Sequence, residues 1–156
     1  MKRISLFMSV VVLAGCKTTD YASFAQSNAL LNNVVVNEEH NAKYKKHVLD
    51  VAFDYQIEGF HADQNLYHCT VQFANIDGTT TTSYPGKIIP CKLEQAAGHV
   101  AISWPMPLDK QVRIPQTNFT NLKYPIEYMV VIHQRTGAKS SRIIGQSAQM
   151  VSTLQL

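Results

Sequence analysis

Charge, cysteine and long apolar runs are all scarce in this chain of 156 residues. The 14 lysines and arginines nearly balance 11 aspartates and glutamates, a formal net charge of +3. So thin an excess excludes a protein that binds nucleic acid through a broad basic field. The cluster Lys43, Lys45, Lys46 is short, follows Glu38 and Glu39, and reads as a solvated face. No apolar stretch approaches the roughly 20 residues that a membrane-spanning helix needs. There is no Gly-x-Ser-x-Gly elbow, phosphate loop or dinucleotide fingerprint, so the familiar hydrolase and nucleotide-binding signatures are missing. With only 3 cysteines, a dense disulfide scaffold is also excluded.

The six histidines, His40, His47, His61, His68, His99 and His133, show no i, i+4 spacing and no short His/Cys spacing of a zinc site. His61 and His68 flank a loop and are placed to meet His133 or His99 across sheets, but scattered surface imidazoles are the simpler expectation. Asp50, Asp54 and Glu58 recur every fourth residue along one strand, about 13 Å from one to the next. That is too far for a retaining glycosidase pair, so they read as solvated sheet charges. No cofactor, metal or catalytic residue is expected.

The start of the chain is more informative. Lys2 and Arg3 precede an apolar run, Ile4 to Gly15, that ends at Leu13-Ala14-Gly15-Cys16 and turns polar at Lys17. A basic start, a short apolar centre and small residues before a cleavage point make a secretory signal. The four-residue ending resembles the lipobox of bacterial lipoproteins. That resemblance implies diacylglycerol on the Cys16 sulfur, cleavage before Cys16, and acylation of the freed amine. Two or three acyl chains give a lasting anchor where one gives a marginal one. In enteric-type sorting, aspartate after the cysteine retains a lipoprotein at the inner membrane. Lys17 stands there instead, so the resemblance implies an outer-membrane anchor with the domain in the periplasm or at the surface. Loss of Lys2 and Arg3 leaves twelve basic against eleven acidic residues. The expected organisation is a leader over 1–15, a lipidated tether over 16–30 and one domain over 31–156.

With Cys16 assigned to lipid, Cys69 and Cys91 form an even pair in an oxidising compartment, which invites a disulfide. A catalytic thiol at Cys69 beside His68 is disfavoured, because neighbours on a strand face opposite ways.

Behind the tether the hydrophobic period is two. Leu49, Val51, Phe53, Tyr55 and Ile57 alternate with polar or small residues. Tyr67, Cys69, Val71 and Phe73 repeat the device, as do Ile89, Cys91 and Leu93, then Val100, Ile102 and Trp104. Both cysteines therefore fall on apolar, inward registers. Ile126, Tyr128, Val130 and Ile132 share one face of the most apolar strand, with Met129 and Val131 on the other, which suggests cover on both sides. Leu30 to Val36 reads as a first strand and VNEEHNAKYKK as a charged connection with a helical turn or two. Thr79 to Thr82 suits a hairpin arm, Pro105 and Pro107 a strand stop, and Gly145 in the final strand a bulge or bend.

Seven or eight strands at this spacing predict an all-β, antiparallel two-sheet sandwich, immunoglobulin-like or transthyretin-like, with a small β-barrel as the alternative. Its edge strands suit contacts with another chain. So do the loops around Tyr84 and Pro85, and from Phe119 to Tyr124, where aromatics sit beside turn residues. The expected function is non-enzymatic: a lipid-anchored scaffold subunit of an envelope-spanning assembly. On architecture alone the chain is similar to the small sandwich lipoprotein of type VI secretion. A ligand-binding or inhibitor lipoprotein is the alternative, and an enzyme the third reading.

Overall fold

A computed structural model describes residues 19–41, 46–62, 65–75, 91–105 and 126–152. A 3-10 turn over Tyr21–Ser23 precedes eight strands: β1 (Asn28–Asn41), β2 (Lys46–Glu58), β3 (Tyr67–Asn75), β4 (Cys91–Lys92), β5 (Ala97–Pro105), β6 (Ile126–Arg135), β7 (Ser141–Gln146) and β8 (Met150–Val151). They form two antiparallel sheets. One has the order β1-β2-β5; the other has the order β4-β3-β6-β7, with β8 also pairing β6. Among the described residues no ladder joins the sheets, so the architecture is a sandwich and the barrel alternative falls away.

The two-fold pattern places the core. Leu49, Val51, Phe53, Tyr55 and Ile57 of β2 are all buried, and so are Tyr67, Cys69, Val71 and Phe73 of β3. They meet Tyr128, Val130 and Ile132 of β6 in one cluster between the sheets. Each fully buried large side chain contributes about 2 kcal/mol of transfer free energy. Val131 is also buried, at 0% exposure, although it lies on the opposite face of β6. β6 is thus covered on both sides at this point, as its unbroken apolar run predicts.

Cys69 and Cys91 stand directly opposite each other on β3 and β4. They are joined by a disulfide, with Cα atoms 5.2 Å apart. β5 ends on Pro105, which cannot donate to a further ladder rung. At the other end of the chain, Ile132 pairs Gly145 while His133 pairs Ile143, so β7 carries a bulge at Ile144. Gly145 is there for space as well: a Cβ on it would lie 2.9 Å from the Ala29 carbonyl carbon. This is where β1 of one sheet approaches β7 of the other. The expected single last strand is two, because Ser147 turns inward between them. Its N–H donates to the Val130 carbonyl at 2.8 Å, and its Oγ accepts from the Val130 N–H at 3.0 Å.

Two expectations are corrected. The first part of the charged segment after Val36 is strand, not helical turns: β1 runs on to Asn41, and residues 42–45 lie outside the described residues. The register shifts between Asn32 and Val35, and Asn33 takes a positive φ of 51°. This bulge changes the inward set from Ala29 and Leu31 to Val34 and Val36, so no single alternation spans the strand. Glu38 then falls inward too, where its carboxylate accepts from Ser152 Oγ at 3.0 Å and from the Tyr128 hydroxyl at 3.5 Å. Burial, and next the Glu38 charge, push the Tyr128 hydroxyl up to about 12.

The stretch read as tether also differs. β1 begins at Asn28, Ser27 and Ala29 are buried, and Tyr21 and Phe24 pack against the core. The packed part thus begins at Tyr21, and the exposed Asp20 caps the 3-10 turn by accepting from the Ala22 N–H at 3.2 Å.

Candidate functional site

The outer face of the three-stranded sheet is assembled from register alone. Three rows cross β1, β2 and β5: Asn32, Asp54 and His99; Val35, Ala52 and Ala101; Asn37, Asp50 and Ser103. The middle row is small and apolar, and with its neighbours it lines a shallow trough of about 260 Å³. Val35 is 53% exposed, and Leu30, beyond the first row, is 65% exposed.

A carboxylate stands on each side of this apolar row, Asp50 at the trough and Asp54 beyond it. Asp54 accepts from Asn33 Nδ2 at 2.7 Å and lies 2.8 Å from His99 Nδ1. The Asn33 hydrogen bond first, and His99 next, hold its carboxyl below the usual range. Asn33 reaches Asp54 because the bulge puts it on the outer face. Asp50 accepts from Ser103 Oγ at 2.5 Å. Both acceptors are therefore held in place about 13 Å apart, with a small apolar floor between them. Chemically this suits a partner surface that offers an apolar projection flanked by donors.

The outer face of the other sheet carries two imidazoles. His68 and His133 are register partners on β3 and β6. Their rings stack 4.8 Å apart at 10°. His133 Nε2 lies 2.8 Å from Thr70 Oγ1, while the buried His68 Nδ1 has no hydrogen-bond partner. Burial, then the neighbouring His133 and Arg135, push His68 down to about 4. Burial lowers His133 as well. Of the expected histidine meetings, His68 with His133 forms, within one sheet rather than across two. His61 packs on Phe24 at 5.3 Å and His99 pairs with Asp54. Parallel stacked rings do not converge their lone pairs on one point, and among the described residues no group of three or more His, Cys, Asp or Glu could hold a metal.

A third polar constellation escapes sequence reading. Gln134, at 0% exposure, engages both polar atoms of its amide. Its Oε1 accepts from the Ser27 N–H at 3.1 Å and from Arg142 Nε at 3.0 Å, and its Nε2 donates to the Ala25 carbonyl at 2.8 Å. Ser27 Oγ donates to the Gly59 carbonyl at 2.8 Å and lies 2.7 Å from the Tyr67 hydroxyl, which accepts from the His61 N–H at 3.1 Å. Gly59 supports this turn with φ +69°, a value that favours glycine. One signal was present in the sequence: Gln134 continues the inward register of Tyr128, Val130 and Ile132, so a polar side chain there requires buried partners.

The remaining expected site residues, Cys16, Tyr84, Pro85, Phe119 and Tyr124, lie outside the described residues. So does the threonine run at 79–82. No protein-family model, curated protein or solved structure matches the chain.

Proposed function

We propose that the chain is a lipid-anchored, non-catalytic binding module, tied by Cys16 to the outer membrane of a bacterium. It serves as an accessory subunit of an envelope-spanning assembly such as a secretion system. The lipobox resemblance supports the anchor. The Cys69–Cys91 bridge supports an oxidising compartment, since such bonds persist outside the cytosol. The observation that carries the binding role is the open face of β1-β2-β5: an exposed apolar row between two preset carboxylates. Interfaces of this make-up join an apolar centre to a polar rim.

The test is photocrosslinking in the native host, with a photoreactive residue at Val35 or Ala101 and a control at Gln146 on the other sheet. The reading expects adducts to one envelope protein at the first two positions and none at the third. Adducts to a single secreted enzyme would favour the inhibitor alternative. Equal background at all three positions refutes the face. Separately, Cys16→Ser should leave an unlipidated precursor, and wild-type membrane partitioning of that variant refutes the anchor.

A further inference from the structure

We propose that the docked N-terminal arm fixes the pose of the domain on a phospholipid surface. The end of the sandwich that carries the connections at 59–62, 93–96 and 136–140 stays nearer the bilayer than the opposite end. This rests on the reading of Cys16 as a lipid anchor.

Chain reach carries the inference. Were residues 17–27 a free tether, the twelve steps from Cys16 to Asn28 would span up to about 42 Å. That matches the length of β2, a strand of 13 residues at about 3.3 Å per residue. The domain would then turn any side to the membrane. The structure removes most of that freedom. Gln134, Arg142, Ser27 and Tyr67 hold residues 24–27, and Arg142 Nη2 adds a bond to the Phe24 carbonyl at 3.4 Å. The 3-10 turn keeps Tyr21 within about 6 Å of Phe24. Five steps are left between Cys16 and Tyr21, a reach of about 18 Å at most.

The docking point lies at one end of the sandwich. Gln134 pairs Tyr67 at the start of β3, and Phe24 packs on His61 in the β2–β3 connection. The other end is marked by Val48 opposite Pro105, Asn75 opposite Ile126 and Glu127 opposite Val151. A linker shorter than half the domain excludes every pose in which that end faces the bilayer and the docking end points away, so over the poses that remain the docking end lies nearer the membrane.

The test uses full-length protein processed in a bacterial host, purified and reconstituted in phosphatidylethanolamine/phosphatidylglycerol vesicles carrying a headgroup-linked energy acceptor. A donor fluorophore is placed at Lys139→Cys in the β6–β7 connection or at Val151→Cys at the opposite end. These positions are about 30 Å apart along β6, and transfer should be at least about threefold stronger from position 139. A second protein carries ten Gly/Ser residues inserted after Thr18, ahead of the Asp20 cap, which leaves the docked arm intact and lengthens the free linker; the difference should largely vanish. Gln134→Ala should reduce it too. Wild-type protein that does not float with vesicles overturns the anchor and the pose together. Protein that floats but transfers equally from both positions, or whose difference survives the insertion, overturns the pose alone.

Discussion

Acidification tests the stacked imidazoles most directly. The folded protein holds His68 near 4, because its ring is half enclosed beside His133 and Arg135. In the unfolded chain a histidine titrates near 6.5. Between those values the unfolded state binds more protons, so stability falls as pH drops from about 6.5 to about 4 and is unaffected by this group outside that window. Each pKa unit is worth about 1.4 kcal/mol, so a fully enclosed ring would lose roughly 3 kcal/mol. Part of the ring faces solvent, and screening reduces this to about 1–2 kcal/mol. At a urea dependence of about 1.5 kcal/mol/M, the unfolding midpoint should drop by about 1 M. Urea titrations followed by far-ultraviolet circular dichroism at pH 7, 6, 5 and 4.5 measure this, with the disulfide kept intact. His68→Phe preserves a stacking ring and removes the proton. It should lose most of the drop, leaving the smaller share from His133, whose burial acts in the same direction. Asp54 also favours higher pH, but its lowered carboxyl titrates below the window. Parallel pH slopes for wild type and variant, or a wild type that gains stability on acidification, would refute the assignment.

Two further outcomes concern covalent and steric constraints. Replacing Cys69 and Cys91 by alanine opens a loop with a sequence separation of 22; in the chain-entropy model this costs about 3 kcal/mol. Calorimetry should show a melting temperature lower by about 10 °C. Gly145→Ala would drive a Cβ into the Ala29 backbone. It should destabilise by about 2 kcal/mol and speed amide exchange at the start of β1, whereas unchanged exchange there would contradict the close approach of β1 and β7.

The sheets were legible wherever one face meets the core and the other meets water. β2 and β3 show this in full, since a period of two is a local property of sequence. The disulfide was legible for the same reason, as both cysteines continue apolar registers. β1 was legible only to Val36. The extra residue at Asn33 changes which parity faces inward, and Glu38 on the new inward side reads as solvent-facing when its partners, Tyr128 and Ser152, are 90 and 114 residues away. The docked arm was hidden likewise: Ser27 and Gln134 are 107 residues apart, and nothing near either one names the other. The apolar row between Asp50 and Asp54 needed the register of β5 before Ala101 and Ser103 fell into place. Spacing along β2 sets those carboxylates apart, but it is silent on what holds them.

The β1 bulge has a meaning for self-association. Deleting Asn33 would leave Ala29, Leu31, Val34, Val36 and Glu38 in strict alternation, so the core would accept the shortened strand. What would change is the rim of the molecule: a straight ribbon some 13 residues long, carrying Leu30 and Val35 outward, is a ready template for an identical neighbour. One additional asparagine, twisted into a left-handed conformation and tied to Asp54, interrupts that template midway. The residue that confuses the sequence pattern thus blunts an edge that would otherwise accept an identical strand.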